Sequence, residues 1–254
     1  MNKLLERIVS SLFLTGQIIV HILQGKIYRN NMMEQMAFVG PASLSIALIT
    51  AVFVGMVFTI QVAREFIYFG ATSAVGGVLA IALTRELAPV LTAVVLAGRV
   101  GSAFAAEIGT MKVTEQIDAL QILKTDPVDY LVTPRVMACC LMLPILTIIS
   151  LLMGMIGGLL IADSLYDISR IIFLESVRNF LKPWDLVASM LKSLVFGGII
   201  AVIGCNWGLT TTGGAKGVGQ STTAAVVISL ISIFIANFLL SWLMFQGTGN
   251  AVID

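Results

Sequence analysis

The residues best suited to chemistry are four charged side chains within one apolar stretch. Thr84 to Leu120 reads TRELAPVLTAVVLAGRVGSAFAAEIGTMKVTEQIDAL and carries Arg85, Glu86, Arg99 and Glu107. At about 100° per residue, Arg85, Arg99 and Glu107 fall within about 80° of one another around a helix, with Glu86 beside them. A charge at the centre of a bilayer costs roughly 3 kcal/mol, so such residues face a bundle interior or a wet cavity. The pattern indicates either an ion-pair network that stabilises a bundle or a cavity that binds a ligand.

Two further features of this stretch concern the helix itself. Pro89 has no N–H to donate to the Arg85 carbonyl, which predicts a bend beside the first charges. Small residues recur every fourth position and form a ridge on which another helix can pack closely. The ridge consists of Ala93, Ala97, Gly101, Ala105 and Gly109. The spacing does not tell whether the partner helix belongs to the same chain or to a second copy.

A short polar helix is predicted at about residues 112–124, after the charged stretch. Thr114 can cap its N-terminus, its first turn carries acidic residues, and Pro127 ends the segment. Ile117, Leu120 and Gln121 fall on one face. This pattern fits a helix that docks in a partner's groove, or equally a connector that lies on the membrane.

The elements that position these residues are membrane-spanning helices. The 254 residues are 58% hydrophobic and 11% charged, against about 25% charged in soluble domains. Five apolar segments exceed the roughly 20 residues needed to cross a bilayer. They cover about residues 36–63, 74–106, 136–162, 186–209 and 222–246. The prediction is an all-α membrane protein with one domain over 1–254, in which an interfacial amphipathic helix over 1–30 precedes a transmembrane bundle over 36–246.

Several classes of function are disfavoured. A net charge of +1 without a basic stripe argues against nucleic-acid binding. Cys139, Cys140 and Cys205 have no CxxC or His spacing, so neither a metal site nor a disulfide framework is expected. The segment GGAKGVGQST (213–222) lacks phosphate-loop spacing and is expected to form a tight turn. Without a nucleophile, acid and base constellation, no enzyme activity and no cofactor are expected.

The distribution of Lys and Arg predicts the orientation. Eight basic residues fall on one side, against four on the other, if the N-terminus is cytoplasmic. The eight are Lys3, Arg7, Lys26, Arg29, Lys112, Lys124, Arg135 and Lys216, and the four are Arg64, Arg170, Arg178 and Lys182. Five spans then place the C-terminus on the far side, and residues 163–185 form an interfacial helix there. No transit peptide is evident, so the bacterial inner membrane is the expected location, with the plastid inner envelope as the alternative.

Three runs of sequence resemble one known family. The run RELAPV to EQIDAL (85–120), TDPVDYLVTPR (125–135) and GGAKGVGQSTTAAVV (213–227) are similar to the MlaE permease family. That family includes bacterial lipid-asymmetry permeases and relatives in chloroplast lipid import, which work with mammalian-cell-entry (MCE) domain proteins. The similarity extends over nearly the whole chain.

The resemblance implies partners and site residues. Family members are homodimeric permease subunits of ABC transporters, with ATP hydrolysed by a separate cytoplasmic ATPase and phospholipid passed to or from MCE proteins. Arg85 and Glu86 match a charged pair near the lipid cavity, and Phe69, with Phe66 one turn before it, occupies the place of an aromatic lining. The resemblance also implies a coupling helix that seats in the ATPase, formed by Glu115, Gln116, Ile117, Asp118 and Leu120.

Two other classes of function compete with this interpretation. A secondary transporter or channel could use the buried charges as an ion relay, although such folds often show internal repeats, and none is visible here. A structural membrane scaffold is the third hypothesis. A partner ATPase that the chain stimulates would distinguish the first hypothesis from the other two.

Overall fold

The computed structural model describes residues 2–23 and 28–245, and within them the chain is helical and without strands. Its α-helices are α1 (Asn2–Leu23), α2 (Arg29–Val39), α3 (Pro41–Tyr68), α4 (Val75–Ala82), α5 (Ala88–Leu96), α6 (Ser102–Val113), α7 (Gln116–Ile122), α8 (Thr133–Tyr166), α9 (Arg170–Phe180), α10 (Pro183–Leu209) and α11 (Gly214–Phe245). Three π-helical turns (Leu83–Leu87, Ala97–Gly101 and Val128–Val132) and a 3₁₀ turn (Thr72–Ala74) connect some of them.

Five helical stretches are long and apolar enough to cross a membrane, which confirms the predicted number of spans. They are Arg29–Tyr68, Thr72–Val113, Val128–Tyr166, Pro183–Leu209 and Gly214–Phe245. Most of them are longer than the apolar segments from which they were predicted. Helical hydrogen bonding continues through polar residues at the ends, whereas the sequence prediction stopped where apolar residues stopped. The chain is therefore an all-α, multi-pass membrane protein.

Proline and glycine set several helix boundaries. Pro41 and Pro183 are the first residues of α3 and α10, where a missing N–H costs no helical hydrogen bond. Gly70 (φ 70°) follows α3 and Gly213 (φ 91°) precedes α11, both in the left-handed region that glycine adopts easily. The prediction of a turn over residues 213–222 is wrong for most of its length, because α11 already begins at Gly214.

The second span is irregular where the sequence predicted a bend. Its π-turn at Leu83–Leu87 comes directly before Pro89, and the Ala88 N–H donates to the Leu83 carbonyl, five residues back. A second π-turn at Ala97–Gly101 has no proline beside it and was not predicted. Each π-turn inserts one extra residue into the helix and changes the direction of the side chains that follow. The angle calculated for Arg85, Arg99 and Glu107 on a regular helix therefore does not hold.

Two compact units divide the chain. The first comprises Met1–Ser43, Ala93–Leu143 and Leu194–Ala236, and the second comprises Leu44–Thr92, Pro144–Ser193 and Asn237–Asp254. Ala105, Ile203, Trp207 and Ala225 form a buried cluster in the first unit. A buried cluster in the second unit consists of Ala63, Val75, Leu79, Leu83, Ala88, Leu151, Ala162, Ile168 and Phe173. The organisation as one permease domain over 1–254 stays a prediction.

The small-residue ridge packs within the chain. In the first unit, a Cβ added to Gly204 would lie 2.9 Å from the Gly101 carbonyl oxygen, and one added to Gly208 would lie 2.7 Å from Ile108. A Cβ added to Gly109 would lie 3.1 Å from the Thr211 hydroxyl. Helix α6 and the π-turn before it therefore approach α10 at backbone distance, which only small residues allow.

The N-terminal helix α1 is attached to the end of α10 by polar contacts. Arg7 donates to the Thr210 carbonyl at 3.0 Å, and the Asn206 amide donates to the Arg7 carbonyl at 2.8 Å. Residues 24–27 of the predicted interfacial segment, including Lys26, lie outside the described residues, as do residues 246–254. Helix α9 fits the helix expected at residues 163–185. The placement of α1 and α9 at membrane interfaces stays a prediction.

Candidate functional site

A polar network in the second unit surrounds Glu86. Its Oε1 accepts from the Lys192 ammonium at 2.9 Å and from the Ser241 hydroxyl at 2.7 Å. Its Oε2 accepts from the Asn237 amide at 2.7 Å. Lys192 lies on α10, and Ser241 and Asn237 lie one helical turn apart on α11. Side chains from α10 and α11 therefore hold the carboxylate of Glu86, which lies within the second membrane span.

Arg85 has a separate acidic partner. Its Nε donates to Asp185 Oδ1 at 2.8 Å, and its guanidinium lies 4.6 Å from the centre of the Phe245 ring. The other oxygen of Asp185 accepts from the main-chain N–H of Lys182 at 3.0 Å. Asp185 thus completes half of a capping box at the start of α10 while it holds Arg85. The terminal nitrogens of Arg85 have no hydrogen-bond partner within 28–245 or 2–23.

The charges of this network balance, but their exposure differs. Arg85 with Asp185 and Glu86 with Lys192 form two ion pairs of zero net charge. The side chains of Asp185 and Lys192 are 1% and 0% exposed, whereas those of Arg85 and Glu86 are 31% and 43% exposed. The buried partners anchor the exposed ones. Arg85 and Glu86 are therefore the two charged groups of this network that a ligand can reach.

Arg99 and Glu107 belong to the first unit and have other partners. Arg99 donates to the Phe38 carbonyl at 3.2 Å and to the Ser43 hydroxyl, beside the break between α2 and α3. Glu107 accepts from Arg135 at 2.8 Å, which ties α6 to the start of α8. Arg99 is half-buried, but the Glu107 side chain is 47% exposed, so the prediction of buried charge is wrong for Glu107. The four charges of the opening stretch therefore do not form one cluster.

The two predicted aromatic residues occupy different environments. Phe66 is partly buried and packs against the core of the second unit. Phe69 directly follows α3, is 75% exposed, and makes an edge contact with Tyr68 at 5.5 Å. The aromatic ring that lies beside Arg85 is Phe245, which the sequence analysis did not consider.

The predicted coupling segment forms helix α7, but its cap differs from the expectation. Thr114 does not cap the helix, because its hydroxyl donates to the Thr110 carbonyl, and Glu115 takes the cap position with φ 62°. Ile117 is 3% exposed and anchors α7 within the first unit.

The surface of α7 offers polar and apolar groups to a partner. Glu115 and Gln116 are exposed, while Leu120 is half-buried and Asp118 pairs with Lys112 at 2.9 Å. At the end of the helix, Ile122 and Leu123 are 82% and 73% exposed.

One cluster near α7 has the composition of a metal site. Ligand atoms of His21, Asp126 and Asp129 lie within 4.8 Å of one another. The His21 Nδ1 and Asp129 Oδ1 atoms are only 2.5 Å apart. Two tetrahedral ligands of zinc at about 2.0–2.2 Å lie more than 3 Å from each other. The short distance therefore favours a direct contact between the two side chains, which ties α1 to the π-turn after α7.

The sequence analysis missed the partners that hold Arg85 and Glu86. These are Asp185, Lys192, Asn237, Ser241 and Phe245. Lys192 offered a signal, since a lone lysine within an apolar span is costly and normally has a partner. The predicted fourth span began at residue 186, so Asp185 was assigned to a surface helix. Asn237 and Ser241 offered only their spacing of four on one helix face.

Comparison with known proteins identifies the family of this chain. Residues 32–243 match the model of the family described as Permease MlaE. A "Probable ABC transporter permease protein" from Synechocystis sp. is 71% identical over 98% of this chain and 94% of its own length. The chloroplastic "Protein TRIGALACTOSYLDIACYLGLYCEROL 1" of Arabidopsis thaliana is 53% identical over 99% of this chain and 72% of its own length. A "Probable ABC transporter permease protein" from Rickettsia prowazekii is 42% identical over 89% of this chain and 87% of its own length. Since both the family match and the relatives extend over most of the sequence, this chain belongs to the MlaE permease family.

Proposed function

We propose that this protein is the transmembrane permease subunit of an ABC transporter for phospholipid or a related lipid. It acts as a homodimer, receives its energy from a separate cytoplasmic ATPase, and exchanges lipid with an MCE-domain partner. Membership of the MlaE permease family supports this proposal, as does the Arabidopsis relative, which is named for a galactolipid. The host membrane is the bacterial inner membrane, or the inner envelope in a plastid, with the N-terminus in the cytoplasm.

The exposed side of the Arg85 and Glu86 network carries the proposal. Arg85 and Glu86 are 31% and 43% exposed while their partners Asp185 and Lys192 are buried, so the network presents one positive and one negative group side by side. The terminal nitrogens of Arg85 can donate to a head-group phosphate, and the exposed carboxylate of Glu86 can accept from a hydroxyl or ammonium. Such a set of donors and acceptors suits the polar head of an amphiphile.

Aromatic residues supply apolar surface for the acyl chains. Phe69 is exposed at the end of α3, with Phe66 one turn before it. Phe245 lies beside the Arg85 guanidinium and places apolar surface next to the head-group site. A lipid needs this combination, because its polar and apolar parts must leave the bilayer together.

Movement begins at α7 in this proposal. Closure of the two ATPases on ATP moves both copies of the coupling helix, the space between the two permeases narrows, and the lipid is expelled. Glu115, Gln116, Asp118 and Leu120 form the contact with the ATPase, and Ile117 transmits the movement because it is buried within the first unit. Hydrolysis takes place in the partner.

The test is Arg85→Ala in a complex reconstituted with its ATPase and MCE partner in liposomes. Transfer of a fluorescent phospholipid to the MCE protein is expected to fall about tenfold or more, the effect of losing a charge-assisted hydrogen bond of about 1.5–3 kcal/mol. Dimer assembly and ATPase association remain. Unchanged transfer would return Arg85 to a structural role.

The matched control is Arg170→Ala. Arg170 is also paired with an aspartate, Asp163, but its side chain is 69% exposed on α9, and its loss is expected to leave transfer unchanged. Ion movement across the membrane by the purified chain without any ATPase would support the ion-relay alternative instead.

A further inference from the structure

The main-chain carbonyl of Arg85 lacks its regular helical donor. In a regular helix this oxygen would accept from the N–H of residue 89, four positions later, but that residue is Pro89. The turn widens to π geometry over Leu83–Leu87, and the Ala88 N–H goes to the Leu83 carbonyl. An unpaired carbonyl within a membrane span costs several kcal/mol. A donor from another helix can replace the missing one.

Lys192 supplies that donor. Its Nζ lies 2.7 Å from the Arg85 carbonyl oxygen, 2.9 Å from Glu86 Oε1 and 2.7 Å from the Ser241 hydroxyl oxygen. The side chain is 0% exposed. An ammonium has three N–H donors, and here each of them has an acceptor. Lys192 thus has no donor left for a lipid head group and no surface on which to meet one.

We propose that Lys192 is a positioning residue, which fixes the π-turn that carries Arg85 and Glu86 and does not itself contact the lipid. This inference rests on the proposed role of Arg85 and Glu86 in lipid binding. One ammonium holds both the main chain of Arg85 and the side chain of Glu86, so the two exposed groups keep a fixed relative position. Pro89 creates the need for this lysine, and Lys192 meets it from a helix more than 100 residues later in the chain.

The experiment is a double-mutant cycle with Lys192→Met and Arg85→Ala. The binding of fluorescent phosphatidylglycerol to the complex is measured in nanodiscs of phosphatidylcholine. Each single variant is expected to weaken binding about tenfold, and the double variant is expected to lose no more than about twofold beyond Arg85→Ala, since both act on one interaction. If the loss in the double variant equals the product of the two single losses, Lys192 binds the head group independently. If Lys192→Met leaves lipid binding unchanged, Lys192 positions neither Arg85 nor Glu86. Either result overturns the inference.

A second variant tests the backbone part directly. Lys192→Met is expected to lower the unfolding temperature as well as lipid binding. Pro89→Ala restores an N–H that can donate to the Arg85 carbonyl, so the double variant Lys192→Met with Pro89→Ala is expected to recover part of both losses. No recovery of either quantity would overturn the link between Pro89 and Lys192. If Lys192→Met does not accumulate, Lys192→Gln, which keeps two N–H donors without the charge, takes its place in both experiments.

A control variant tests whether the effects are specific to Lys192, and the result for Arg85→Ala tests the proposed lipid site separately. Lys182→Met removes an exposed lysine at the start of α10 and is expected to change neither binding nor unfolding temperature. If Arg85→Ala does not weaken lipid binding, the proposed lipid site fails. Even in that case, a higher unfolding temperature of Lys192→Met with Pro89→Ala than of Lys192→Met alone would still show that Lys192 holds the turn.

Discussion

Single residues in this protein show how charge is kept inside a membrane span. Each charged group of the opening stretch has a partner with matching chemistry, and the partners of Arg85 and Glu86 lie about 100 positions away in sequence. The partner of Glu107 is Arg135, which is 7% exposed. A buried ion pair adds little net stability compared with apolar packing, but removal of one partner leaves an uncompensated charge. The pairs therefore fix positions more than they add stability.

A prediction at this scale concerns Asp185. Asp185→Ala removes the partner of Arg85 and the acceptor for the Lys182 N–H, and we expect it to destabilise the second unit by about 2 kcal/mol, because Arg85 can still reach water. For a chain of this size, that corresponds to a fall of about 4–8 °C in the unfolding temperature. The measurement is thermal unfolding of the purified protein in detergent.

Asp163→Ala is the matched control for Asp185→Ala. The Asp163 and Arg170 side chains are 34% and 69% exposed, and exposed pairs contribute about 0–1 kcal/mol. The hydrogen bond to Asp163 raises the pKa of Arg170 above its ordinary value. Equal losses in both variants would contradict the distinction between the buried and the exposed aspartate.

At the scale of helices, backbone approach is what the small residues provide. The ridge on the second span packs against α10 of its own chain, which the spacing of four left open. Gly98, on the other hand, is exposed and has no atom within 4 Å of an added Cβ. Gly98 and Gly101 are three residues apart, and nothing in the sequence distinguishes the exposed glycine from the packed one.

Gly204→Val tests the close packing of α6 and α10. A Cβ at this position would lie 2.9 Å from the Gly101 carbonyl oxygen, so the helices must separate, at a cost of about 1–3 kcal/mol. Gly98→Val is expected to leave the unfolding temperature unchanged. Resistance to protease in detergent provides a second measurement. A loss in Gly98→Val as large as that in Gly204→Val would contradict this packing.

At the scale of the whole molecule, the chain is a permease whose function depends on surfaces for other chains. Each of the two units combines three separate parts of the sequence. Helix α7 lies in the first unit and the Arg85 and Glu86 network lies in the second. In the proposed function, energy and lipid therefore enter through different units of the protein.

The exposed end of α7 gives a prediction for assembly. Ile122→Asp combined with Leu123→Asp is expected to lower co-purification of the ATPase at least tenfold, the effect of losing about 1.4 kcal/mol or more of apolar contact. The unfolding temperature should not change, since these side chains are 82% and 73% exposed. Ile171→Asp on α9, also 76% exposed, is the control. Full co-purification of the ATPase would count against this docking surface.

Charge reversal on α7 tests the same contact independently. Glu115→Lys and Asp118→Lys should both weaken ATPase association. Glu115→Lys is the sharper variant, because reversal at Asp118 also breaks its pair with Lys112. Glu175→Lys, at an exposed position of α9, should leave ATPase association unchanged.

The helical class, the number of spans, the family and the residues that carry charge within the membrane could all be predicted from the sequence. These features are local, because the length of apolar segments, the positions of proline and glycine and the spacing of charge along one helix are all contained in short runs. The tertiary structure decided which charges belong together. Arg85 and Glu86 meet Asp185, Lys192 and Ser241 only after three helices pack, and two π-turns changed the angles that a regular helix would give. Which charged side chains pair depends on how distant segments pack, and the order of residues along the chain does not state which segments become neighbours.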